Sequence, residues 1–144
     1  MGTGLYEQDF YAWAKRNSEL LRAGRLSEAD VDNIAEELES MGRSEKRALV
    51  ARLAVLIAHL LKWKYQPALR SNSWKYTIKE QRRKVGKILE DSPSLKRQID
   101  ALFSEAYEDA ILLAAKETGL TEEDFPSRCP YTFEVVMDDS HWPE

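Results

Sequence analysis

One cysteine, two histidines, six glycines and five prolines are all that 144 residues contain of these types, and their scarcity removes whole classes of mechanism. A lone thiol, Cys129, closes no internal disulfide and leaves no thiolate set for a structural metal, which points to a reducing compartment, the cytoplasm. The sequence has no Gly-rich phosphate loop, no G-x-S-x-G elbow and no H-E-x-x-H pair, so neither a metal nor a cofactor is expected. Cys129 with His141 is the remaining nucleophile and base, but both fall in a proline-bounded tail where Cys129 reads more simply as a small apolar residue.

Long hydrophobic runs are missing too. The most apolar window, Ala48 to Trp63, is interrupted by Arg52, His59 and Lys62 and is shorter than the ~20 residues that cross a bilayer, so it reads as a buried helix. The opening MGTGLYEQDF carries neither a basic nor an apolar leader segment, and no secretory signal is expected. No internal repeat, low-complexity tract or alternating run long enough for a sheet is present.

What the chain does have is charge, unevenly distributed. Arg43 to Lys87 holds 13 Lys or Arg against two acids, Glu45 and Glu80, while the remainder holds eight bases against 23 acids. Segregation of this kind supplies a basic face for an acidic partner, or sets basic helices beside acidic ones within one fold.

Apolar spacing predicts an all-α single domain, a bundle of about five main helices with an irregular C-terminal tail. Helix one covers 6–23, with Tyr6, Phe10, Trp13, Leu20 and Leu21 in rhythm, Asn17 within the stripe, and Gly24 as the stop. A capping-box-like Ser27 and Asp30 open helix two, 28–41, which Gly42 ends. Ser44 caps helix three, 44–65, apolar on nearly all sides and halted at Gln66-Pro67. Helix four, 73–90, shows one seam of Trp74, Ile78, Gln81, Val85, Ile88 and Leu89. Ser92-Pro93 opens helix five, 93–118, which Gly119 closes, and the tail 119–144 holds short turns near Thr121–Asp124 and Phe133–Asp138.

Two kinds of site can be drawn from these elements. The first is a basic surface of helices three and four, made of Lys62, Lys64, Arg70, Lys75, Lys79, Arg82 and Arg83, to bind an acidic protein or a nucleic acid. Lys75, Lys79 and Arg83 share the helical face opposite the seam, whereas no helix-turn-helix, zinc-finger or RNA-binding strand motif accompanies them. The second is a hydrolase or nuclease-like pocket from Glu36, Glu37, His59 and Gln81. His59 lies at the core border, and Gln81 is an amide in an apolar seam that must find a partner or cost about 1–3 kcal/mol. The structural alternative makes His59 and Gln81 a buried pair that fixes helix register. No Glu-x-x-His pair of the di-metal bundles occurs.

The fragments YEQDFYAWA, LLRAGRLSEAD, NIAEELESMGRSEKR, LLKWKYQP, SWKYTIKEQRRK, DSPSL, FPSRCPYT and WPE, in this order from Tyr6 to Pro143, resemble domain of unknown function family number twenty-nine. The resemblance implies an all-helical bacterial domain, mainly cyanobacterial, and supplies no catalytic residues. Positions matching the family's motifs include Glu36, Glu37, Gly42, His59, Trp63, Gln66, Trp74 and Arg82.

Overall fold

A computed structural model describes residues 4–144; the leader-free reading of the N-terminus rests in part on residues 1–3, which lie outside the described residues. The architecture is all-α: α1 (Leu5–Gln8), α2 (Phe10–Arg22), α3 (Val31–Tyr65), α4 (Asn72–Asp91), α5 (Ile99–Thr118) and α6 (Phe133–Met137), with no strand among the described residues. Short 3-10 turns join them at Leu26–Glu28, Pro67–Leu69, Pro93–Gln98 and Glu122–Asp124. The chain forms two compact units, one ending at Ser44 and one running from Glu45 to Glu144.

Four expected boundaries are corrected. Helix two, expected from residue 28, begins only at Val31, after the 3-10 turn Leu26–Glu28. Helix one is broken at Asp9, whose extended backbone lets its carboxylate accept the Ala12 N–H and start α2 afresh. Pro93 opens a 3-10 turn before α5, because the α-form begins only at Ile99. The largest difference is at Gly42, expected to stop helix two, where α3 instead runs through for 35 residues.

The glycines explain that difference. Gly24 and Gly119 adopt left-handed φ of 73° and 79° at the ends of α2 and α5, the conformation for which glycine is favoured. Gly42 has no positive φ, and good helix formers flank it, with Arg43 paired to Glu36 at 3.2 Å and Glu39 at 3.9 Å. Glycine costs about 1 kcal/mol in a helix interior, less than the unfavourable nucleation of a second helix. A Cβ at Gly42 meets nothing within 4 Å. Gly42→Ala is therefore expected to raise stability by about 0.5–1 kcal/mol in urea unfolding, with an unchanged circular-dichroism spectrum.

The first unit buries Trp13, Asn17 and Leu20. Asn17, the polar residue in its stripe, is satisfied there: its amide donates to the Trp13 carbonyl at 3.0 Å and its oxygen accepts the Asp30 N–H at 2.8 Å. The Asp30 carboxylate accepts from Asn33 and from the Trp13 indole, which together lower its pKa. The hydrophobic core lies in the second unit, between Leu49–Leu61 of α3, the Ile78, Val85 and Leu89 seam of α4, and Leu102, Ala106, Ala110 and Ala114 of α5. Phe125 and Val136 seal it from the tail.

Candidate functional site: a basic groove along α4

Ser71 accepts the Trp74 N–H at 3.2 Å and caps α4, fixing the register that turns Ile78 and Val85 inward. Lysines at steps of four then fall on the outer side. Lys75, Lys79, Arg83 and Lys87 rise about 6 Å per step and drift round the helix by about 40°. Beside this row the tail crosses, and together they enclose a groove of about 1350 Å³ lined by Tyr76, Lys79, Arg82, Arg83, Lys84 and Lys87, with Glu80, Glu90, Met137 and Asp139. A neighbouring cleft of about 430 Å³ shares Lys79 and Asp139 and adds Lys75, Trp63 and Trp142.

Charge in the groove is only partly neutralised. Lys84 pairs with Glu80 at 3.2 Å and Lys87 with Asp91 at 3.3 Å. Lys75, Lys79 and Arg83 make no ion pair among the described residues, and the Lys75 and Lys79 ammonium groups lie 5.7 and 5.8 Å from the Tyr76 ring centroid. They are the cations with donors to spare.

Three residues expected on this surface have structural partners. Lys62 is buried, ion-paired to Glu117 at 3.1 Å with its ammonium 4.7 Å from the Trp74 ring centroid. Arg70 donates from Nε to the Trp63 carbonyl at 2.7 Å. Arg82 is 3% exposed; its Nε donates to the Val136 carbonyl and its Nη2 to the His141 carbonyl, both at 2.8 Å, and its guanidinium lies 5.5 Å from the Trp142 ring centroid. Burial pulls the Arg82 pKa down, while Asp139 and Asp138 oppose that shift. Lys64 is exposed near Tyr65 and lines neither cavity.

In the first unit Glu36 pairs with Arg43, and Glu37 accepts the Tyr6 hydroxyl, which pushes the phenol pKa up to about 12. In the second unit the His59 Nδ1–H donates to the Val55 carbonyl at 2.9 Å. Gln81 is 6% exposed, its Oε1 has no hydrogen-bond partner, and it shares no bond with His59. Cys129 is half-buried with its pKa raised by burial, so the thiol form is favoured. Among the described residues no cluster of three His, Cys, Asp or Glu is arranged to hold a metal ion, and no helix is long and apolar enough to cross a membrane.

His59 gives a pH dependence of known sign. Burial, with a smaller contribution from Lys62, holds its pKa below the usual 6.5, so the fold prefers neutral imidazole. The associated stability is complete above the unfolded value of about 6.5 and is lost as pH falls below it. His141 is shifted the same way, first by burial and then by Arg82. The expected result is therefore a difference: urea midpoints fall from about pH 7.5 to about pH 5.5, and His59→Gln makes that fall shallower while leaving the His141 share.

Asp139 lines both cavities and Trp142 the cleft, and neither stood among the sequence candidates for this surface, whereas Lys84 and Lys87 of the groove belong to the basic stretch Arg43 to Lys87. The four-residue step from Lys75 already extends to Lys87, whereas nothing in the tail sequence shows that Asp139 and Trp142 return to α4. The family described as Domain of unknown function DUF29 matches residues 5–142, nearly the whole chain, and the protein belongs to it. No curated protein and no solved structure matches the chain.

Proposed function

We propose that this DUF29 member is a binding module that takes an acidic partner along the basic groove of α4. The observation that carries the reading is the row of Lys75, Lys79 and Arg83, unpaired among the described residues, beside an open channel large enough for an extended chain. Surface cations held in this way release counterions when they meet a polyanion, and that release drives association. The neighbouring cleft favours nucleic acid over an acidic protein segment. Trp63 and Trp142, with ring centroids 4.9 Å apart, border it next to Lys75 and Lys79, which sets an aromatic face beside phosphate-binding charge. The single unpaired cysteine agrees with a cytoplasmic setting.

The direct test is competition. A labelled oligothymidylate is expected to bind at low salt with quenching of tryptophan fluorescence, and polyglutamate is expected to displace it only weakly. Equal displacement by polyglutamate without quenching would transfer the groove to acidic proteins, and no binding of either polymer would end the proposal.

A further inference from the structure

The groove and the cleft meet at a carboxylate. The tail passes α4 through the run Asp138-Asp139-Ser140, and its two acids are used differently. Asp138 folds back on its own turn, accepting the Ser140 N–H at 2.9 Å and the Ser140 hydroxyl at 2.7 Å, and it lines neither cavity. Asp139 is exposed, forms no ion pair among the described residues, and lines both cavities beside Lys79. A carboxylate repels phosphate, so in a channel for a polyanion it does not serve the ligand's backbone. It serves as a hydrogen-bond acceptor, the one role open to an ionised carboxyl group.

The aromatic wall opposite is held in place. Trp63 and Trp142 are half-buried and line the cleft, so part of each indole stays open to a ligand. Both chain neighbours of Trp142 are tied down: Arg82 donates to the His141 carbonyl at 2.8 Å and Arg70 to the Pro143 carbonyl at 3.4 Å. The same Arg70 holds the Trp63 carbonyl from Nε at 2.7 Å. A flat ligand therefore meets a platform already in position, which lowers the cost of binding. At about 430 Å³ the cleft falls within the ~300–1,000 Å³ of small-ligand sites, while the groove follows α4 from Tyr76 to Glu90. The cleft suits one base and the groove suits the strand.

Resting on the nucleic-acid reading of the groove, we propose that the cleft selects guanine, with the base stacked on Trp142, its Watson–Crick edge on Asp139, and the adjoining phosphates on Lys75 and Lys79. Of the four bases only guanine presents two adjacent donors on that edge, the N1–H and the N2 amine, and these match the two oxygens of a carboxylate. Adenine and cytosine set one amine beside a ring-nitrogen lone pair, and thymine sets one N–H between two carbonyls. With each of them the second carboxylate oxygen meets a lone pair.

The test titrates the intact chain at low salt with labelled oligothymidylate and with the same oligomer carrying one central guanosine. The guanosine is expected to tighten binding by about 10-fold or more, and a central adenosine, or an inosine that lacks the N2 amine, much less. Asp139→Asn should bring the guanosine and all-thymidine oligomers within about 2-fold of each other without weakening the latter. Glu134→Gln removes a charge at an exposed tail position outside both cavities and should keep the preference. An equal gain from adenosine would assign the preference to stacking and overturn the proposal, as would a preference that survives Asp139→Asn. Oligothymidylate binding with no gain from guanosine would overturn it while leaving the basic groove standing, and no binding of any oligomer would end both.

Discussion

Arg82→Ala is expected to destabilise the protein by about 3–5 kcal/mol and to release the tail before the core unfolds. The guanidinium supplies two charge-assisted hydrogen bonds to the carbonyls of Val136 and His141 and covers Trp142. Alanine leaves both carbonyls without their donors in a site that is almost closed to water, at about 1–3 kcal/mol each. Against a total stability of about 5–15 kcal/mol, this is a loss visible in any urea titration. Arg82→Lys keeps the charge but cannot span both carbonyls with a planar fork, so it should recover only part of the loss. Hydrogen exchange localises the effect: amides of 133–142 should lose protection in Arg82→Ala while Leu53–Leu61 stay protected. Uniform loss across the second unit would mean that Arg82 supports the core and not the tail.

The second large effect is on binding. Lys75→Glu, Lys79→Glu and Arg83→Glu together are expected to weaken oligonucleotide binding by about 100-fold or more at low salt, because three sites of counterion release become three repulsions. Lys79 and Arg83 are exposed and none of the three is ion-paired among the described residues, so the helix content and urea midpoint should change little. Net charge alone would also repel a polyanion, so the control is Lys96→Glu, Arg97→Glu and Lys116→Glu, three exposed positions outside both cavities. The control variant carries the same charge and should bind within a few-fold of wild type. Equal losses in the two triple variants would locate the effect in total charge and not in the groove.

The contrast between Arg82 and Arg83 shows how far the sequence could be read. Periodicity placed Ile78, Gln81 and Val85 inward and Lys79 and Arg83 outward, as observed, because a helix interior obeys 3.6-residue geometry whatever packs on it. Arg82 flanks the seam on the side the tail covers, and only the course of residues 133–142 decides whether it meets solvent or carbonyls. Lys62 depends in the same way on Glu117 arriving from α5. Local signals were sufficient where backbone chemistry decided alone, as at Gly24, Gly119 and Pro67. Gly42 carried the same letter as Gly24, but its flanking helix formers and the Arg43 ion pairs kept the helix intact. Gln81 was legible as an amide in an apolar seam, but the pairing with His59 is not made, since His59 turns back along its own helix to Val55 and the Gln81 Oε1 has no hydrogen-bond partner.

The measurement that tests the groove most directly is the salt dependence of oligothymidylate affinity for the wild-type protein. With three phosphates held by Lys75, Lys79 and Arg83, log K is expected to fall with log salt at a slope of about −2, and Lys79→Ala should flatten it by about 0.7. An affinity indifferent to salt, or a slope that Lys79→Ala leaves unchanged, would contradict the account.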